Sequence, residues 1–235
     1  MLQNWCSLVA TVNTISMTPI FITGGTGYIG KRLIKKLVVL GYDVTALVRK
    51  GSEAKLPKGV RAIIADPFDA ATFQQWIPRG ATYIQLLGAA HPSPRKKEEF
   101  QQVDLRSVKE SANAAAAAGV QHFIYLSVAM TDSSMMQEYT NVRKQGEAYI
   151  QSKHLVCTFI RPWYVVGPGH YWPLLLMPAY GIAQLRPQWK QKTKGMELLN
   201  INLLLRTLVK AIEAPPQRQR LFEISHMKKN SLPAI

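Results

Sequence analysis

The residues Thr23-Gly24-Gly25-Thr26-Gly27-Tyr28-Ile29-Gly30 have the types and spacing that hold a pyrophosphate. Glycines let the backbone come within contact distance of phosphate oxygens, where a Cβ would block the turn or the ligand. Both Gly25-x-Gly27-x-x-Gly30 and Gly24-x-x-Gly27-x-x-Gly30 can be read in the run, so spacing alone is a weak signal. The flanking elements make it strong. Pro19-Ile20-Phe21-Ile22 reads as a strand and Lys31 to Leu40 as a helix, whose N-terminus offers unpaired N–H groups to an anion. Strand, glycine turn and helix in this order describe a nucleotide-cofactor site at the start of a βαβ unit.

The second strand, Asp43 to Val48, ends in Arg49-Lys50-Gly51-Ser52, with no carboxylate at its tip. An acidic residue there would bind the two ribose hydroxyls of NAD, whereas an arginine suits the 2′-phosphate of NADP. Arg49 stands 19 residues past Gly30, which favours NADP(H), with Arg49 pairing with that phosphate; NAD is the alternative. Asp66, at the end of a third strand (Val60 to Ala65), is a candidate acceptor for the adenine amino group.

The positioning elements continue in alternation. Ala71 to Ile77 reads as a short helix. Ala81 to Leu87 is a strand ending in Gly88-Ala89-Ala90, small enough to let ribose and phosphates pass. Glu98 to Ala118 is a helix ended by Gly119, His122 to Ser127 a strand, Gln137 to Ser152 a helix, and Leu155 to Arg161 a strand stopped by Pro162. This order predicts an α/β fold, a doubly wound parallel Rossmann sheet over residues 17–162. Residues 163–235 form a small C-terminal substrate-side lobe, plus a helix (Leu198 to Ala214) and a strand (Leu221 to Ile224) returning to the same domain. Trp163, Tyr164, Tyr171, Trp172 and Tyr180 either line a pocket for a flat, apolar substrate or form the core of that lobe. Residues 1–16 read as an extension ahead of a start at Met17, with an added strand or an oligomer arm as alternatives.

The chain has 235 residues, 47% hydrophobic and 18% charged, ordinary values for one globular domain. Two cysteines, Cys6 and Cys157, make no disulfide framework, which points to a reducing, cytoplasmic setting. No apolar run is long enough to span a bilayer. The net charge of +15 implies anionic partners. Basic clusters at Lys31, Arg32, Lys35 and Lys36, at Arg95 to Lys97 and at Lys190, Lys192 and Lys194 come without a nucleic-acid module, leaving at most peripheral contact with an anionic membrane. His91, His122, His154, His170 and His226 lack metal-ligand spacing, so no metal is expected.

With the glycine turn, Asp66, Leu86-Leu87-Gly88, Tyr125-Leu126-Ser127, Tyr139 and Arg161-Pro162 in register, the chain from Met17 resembles the short-chain dehydrogenase/reductase superfamily. It is most similar to the extended or atypical branch, which includes sugar-nucleotide epimerases and dehydratases, NmrA-like redox sensors and a nucleotide-binding accessory subunit of respiratory complex I. Arg143 to Glu147 and Thr158 to Gly169 are most similar to the last of these. The resemblance implies a tyrosine acting as general acid or base and a lysine four residues later; here Tyr139 is followed by Arg143. Arginine supplies a positive field and ribose hydrogen bonds but exchanges no proton. The family's serine position falls nearest Val128; Ser127 is one place early, and Thr131, Ser133 and Ser134 are substitutes. The catalytic candidates are thus Tyr139, Arg143 and Ser127. Leu87, Gly88 and Pro162 join Gly24, Thr26, Gly27, Tyr28, Ile29, Gly30, Arg49 and Asp66 as cofactor-binding candidates. Two functions follow from the resemblance: an NADP(H)-dependent oxidoreductase passing hydride to a small carbonyl-type or apolar acceptor, or a non-catalytic NADP(H)-binding sensor or accessory subunit with a protein partner. Val128 and Arg143 favour the second. An epimerase is disfavoured by the short stretch after Trp163.

Overall fold

Alternate residues of a strand face opposite sides of a sheet, and here both sides are apolar, the mark of a parallel sheet covered by helices on each face. The computed structural model describes residues 17–89, 93, 95–130, 136–176 and 197–229. The expectations for residues 1–16, Ala90, His91, Thr131, Ser133, Ser134, Tyr180, Lys190, Lys192 and Lys194 lie outside these. Seven strands, β1 (Ile20–Thr23), β2 (Val44–Val48), β3 (Arg61–Ile64), β4 (Thr82–Gln85), β5 (His122–Leu126), β6 (Cys157–Arg161) and β9 (Gln219–Glu223), form one sheet in the order β3-β2-β1-β4-β5-β6-β9. Every pairing is parallel, with Ile22 opposite Ala46 on one side and Ile84 on the other. Strand order reverses between β1 and β4, where ligands bind in open α/β sheets.

One face carries Ile20, Ile22, Ala46, Ile84 and Ile124 against α1 (Tyr28–Val39) and α5 (Ile201–Glu213). Helix α1 buries Leu33, Ile34 and Leu37 at three- and four-residue spacing. Helix α5 starts where the Asn200 side chain accepts the Asn202 N–H at 2.8 Å. The opposite face carries Phe21, Tyr83, Phe123 and Phe159 against Phe73, α3 (Arg106–Ala118) and α4 (Gln137–Ser152). Ala112, Ala114 and Ala115 of α3 are fully buried, so the alanine run serves close helix–sheet approach.

Four elements differ from their sequence reading. Helix α1 starts at Tyr28, not Lys31, so Tyr28, Ile29 and Gly30 of the glycine motif are already helix. Ala71 to Ile77 is not a helix but two 3-10 turns, Ala70–Thr72 and Gln74–Trp76, the first capped by the Asp69 side chain accepting the Ala71 N–H at 3.0 Å. The helix read from Glu98 opens with one α turn, α2 (Lys97–Glu99), and then widens into a π-helix over Phe100–Leu105 before α3. The last strand is β9, Gln219–Glu223, while Ile224 opens helix α6 (Ile224–Lys229). A two-strand sheet, β7 (Val165–Val166) with β8 (Leu199–Asn200), was not anticipated. Among the described residues no helix is long and apolar enough to cross a membrane.

Candidate active site

The glycine turn is built from unequal glycines. Gly24 has φ +76°, and a Cβ there would lie 2.6 Å from Leu87 N; a Cβ on Gly30 would overlap the Gly24 carbonyl. Those two serve the fold. Gly27 is different: it is exposed, its backbone is extended, and a Cβ would meet only Gly24 O at 3.2 Å. Close approach of a ligand is what remains to explain a glycine there. Helix α1 has no side-chain cap and no acidic residue in its first turn, so its N–H groups face the turn free for an anion.

Beneath the strand tips lies a buried polar chain. Thr23 Oγ1 donates to Gln85 Oε1, Gln85 Nε2 donates to Ser107 Oγ at 3.1 Å, and Ser107 Oγ donates to the Asp104 carbonyl at 3.2 Å. It ties β1 and β4 to Ser107 at the start of α3 and, through the Asp104 carbonyl, to the π-helix. The Asp104 carboxylate accepts the Ala89 N–H at 3.1 Å and pairs with Arg143 Nη2. Both side chains are buried. Arg143 also donates to the Leu126 carbonyl at 3.0 Å, to Tyr125 OH at 3.2 Å and to Tyr139 OH at 3.1 Å. The Tyr139 ring rests on Phe100 of the π-helix, centroids 4.9 Å apart. Gly88 is needed by this pair, because a Cβ there would overlap Arg143 Nη2 and come 2.8 Å from Asp104 Oδ1.

Burial raises the Tyr139 phenol above its ordinary value; Arg143 opposes this and Asp104 adds to it. Burial likewise pushes Tyr125 up to about 12. The Asp104 carboxyl is raised by burial, with Arg143 and the Ala89 N–H pulling against that rise.

A cavity of about 420 Å³ opens over these groups. Gly24, Gly27, Tyr28, Ile29 and Gly30 line one wall, Gly88, Ser127, Tyr139 and Arg143 the floor, and Pro162, Trp163, Tyr164, His170 and Trp172 the far wall. The sequence candidates brought together are therefore Gly24, Gly27, Tyr28, Ile29, Gly30, Gly88, Ser127, Tyr139, Arg143 and Pro162. Thr26, Arg49, Asp66 and Leu87 are not among the lining residues. Arg49 is exposed at the tip of β2, and Asp66 is exposed with Oδ1 accepting the Phe68 N–H at 2.9 Å. Trp163, Tyr164 and Trp172 belong to the wall, while Tyr171 is 57% exposed. Among the described residues, three buried polar atoms without a hydrogen-bond partner, Tyr28 OH, Ser127 Oγ and Arg143 Nε, sit on lining residues. Unsatisfied groups gathered at one cavity fit a polar ligand. The sequence reading missed Asp104. Its signal was a carboxylate four residues from both Phe100 and Val108, on the apolar stripe of the helix.

Residues 24–168 match the model of a family described as NAD(P)H-binding. The chain belongs to this family. Relatives of this NAD(P)H-binding chain include the Photosystem II assembly factor Ycf39 of Guillardia theta, 24% identical over 59% of the chain and 44% of the relative. Another is the ceramide reductase of Caulobacter vibrioides, 25% identical over 63% of the chain and 46% of the relative. The chain thus spans less than half the length of either. The Bordetella bronchiseptica enzyme WbmG, solved in complex with NAD, superimposes with a TM-score of 0.65 at 18% identity, over 90% of this chain and 74% of that one. The shared Rossmann-like fold is the one its resemblance to the extended short-chain dehydrogenases and reductases implied.

Proposed function

We propose that the chain is an NADP(H)-dependent reductase of an apolar carbonyl acceptor. The observation that carries this reading is the meeting, in one largely apolar cavity, of the glycine turn with Tyr139 OH and the unpartnered Ser127 Oγ. The turn and the open N-terminus of α1 would hold the pyrophosphate, and Gly88 would let the nicotinamide-side ribose pass close to Arg143. Arg49, with Lys50 beside it and no carboxylate at the strand tip, favours the 2′-phosphate of NADP.

The bound cofactor supplies hydride to the acceptor carbon. Tyr139 gives its proton to the developing oxyanion, and Arg143, donating to the phenol oxygen, holds that oxygen in place. Ser127 Oγ donates to the same acceptor oxygen. Trp163, Tyr164 and Trp172 exclude water and pack on the apolar body of the acceptor, a substrate class to which the name ceramide reductase also lends support.

A second reading, a cofactor-binding assembly or accessory protein, is favoured by the arginine in place of lysine and by the likeness to an assembly factor. Calorimetric titration with NADPH, NADP+, NADH and NAD+, followed by a panel of ketones with long apolar tails, separates the two. The reductase binds NADPH tightly and oxidises it, and Tyr139→Phe keeps the binding while losing turnover by about a hundredfold or more. Tight binding with no turnover on any acceptor selects the second reading.

A further inference from the structure

The Tyr139 site differs from a tyrosine–lysine site in charge as well as in residue type. Arg143 cannot lose its proton, so its charge stays in the buried floor of the cavity whatever the pH. Opposite it the π-helix delivers a carboxylate. A π turn is a rare departure from α geometry and concentrates at functional sites. This one places Phe100 under the Tyr139 ring and Asp104 against both Arg143 and the Ala89 N–H at the tip of β4. One carboxylate therefore joins the strand tip that meets the cofactor to the helix that carries the phenol.

We infer that Asp104 is a positioning residue that neutralises Arg143, so that Tyr139 is presented as a hydrogen-bond and proton donor and not as a base, which suits the site to reduction. The inference rests on the reductase reading above and deepens it. A lone cation beside a tyrosine stabilises the phenolate; a cation already paired with a carboxylate in the same buried pocket does so far less. Among the described residues, the charged and titratable groups facing Tyr139 fit this account. From its own helix comes Arg143, from the π-helix Asp104, with Glu99 acting on Asp104 from the preceding turn, and from β5 the buried Tyr125. Across the cavity stand Tyr28 and His170; the Nε2 of His170 meets the Trp172 indole N–H at 2.9 Å. The raised Tyr139 phenol agrees. In the reduction, the acceptor carbon gains a C–H bond from the dihydronicotinamide, the Tyr139 O–H bond breaks as the product O–H forms, and the phenolate recovers its proton from water.

The test needs neither cofactor nor acceptor. Ultraviolet difference titration of tyrosinate, with Tyr139→Phe as the subtracted partner, isolates the Tyr139 midpoint in the full chain. In the parent protein it lies above the ordinary tyrosine value of about 10. Asp104→Asn, which frees the Arg143 charge, moves it down by about one pH unit or more, while Asp104→Glu keeps it near the parent value. A parent midpoint below about 10, or an unmoved midpoint in Asp104→Asn, overturns the inference. If Asp104→Asn does not fold, Asp104→Ser, which also removes the carboxylate, reads the same shift, and a parent midpoint below about 10 still overturns the inference. With a carbonyl acceptor in hand, the pH at which kcat/KM for reduction falls off shifts down in Asp104→Asn by the same amount, and the dissociation constant of NADPH stays within about threefold. Failure of every acceptor would remove the reductase reading and leave the titration result standing.

Discussion

A Cβ on Gly27 would meet Gly24 O at 3.2 Å, a contact that needs a shift of only a few tenths of an ångström, so Gly27 separates binding from folding. Gly27→Ala should change the urea midpoint by the equivalent of less than about 1 kcal/mol, yet weaken NADPH at least tenfold, read by calorimetry, because the methyl group would stand in the path of the pyrophosphate. Arg49 makes a separate prediction: Arg49→Ala should lose NADPH affinity and leave NADH unchanged, since only the former carries the 2′-phosphate. Equal effects on both cofactors would remove the NADP preference. At this scale the sequence was most informative where backbone alone makes the site. The glycines of the turn and Gly88 could be named because each follows an element with a clear period, whereas Tyr139 was named by the resemblance alone. Asp104 could not, because its partner Arg143 is 39 residues away and the pairing needs the fold.

The strands and long helices were legible because each buries a periodic apolar face, Leu33, Ile34 and Leu37 on α1 being an example. Leu37→Ala should cost about 2–5 kcal/mol in chemical denaturation without altering the cavity wall, which the residues of the first turn form. The π-helix was not legible. Nothing in the composition of Phe100 to Leu105 excludes an ordinary α turn; what holds the wider turn is tertiary, the packing of Phe100 on Tyr139 and the hold of Arg143 on Asp104. Gly88→Ala tests that coupling between β4, the π-helix and α4. Its Cβ must displace Arg143 or Asp104, so a loss of about 1–3 kcal/mol is expected, together with weaker NADPH binding. The strands β7 and β8 escaped notice for a simpler reason: two residues carry no period.

Over the whole molecule, pH acts through a group far from the cavity. His122 is buried at the start of β5, bonded to Thr158 Oγ1 at 2.8 Å, and burial followed by the nearby Arg220 lowers its pKa to about 4. Its folded pKa lies below the unfolded value of about 6.5, so the unfolded chain takes up the proton first. The associated stability is present above pH about 6.5 and drains away as pH falls toward 4, by about 2 kcal/mol between pH 7 and pH 5. Denaturation curves at the two pH values should show that loss, and His122→Gln should remove it. The sheet also has an order in time. Its seventh strand, β9, comes from residues 219–223 and is the neighbour that closes the edge of β6. A ribosome that has released the glycine turn, α4 and β6 therefore holds a chain whose hydrophobic strand Cys157-Thr158-Phe159-Ile160-Arg161 still has one side unpaired, a template for association with other chains. Truncation before Gln219 should yield a product that aggregates during synthesis although every residue of the cavity is present.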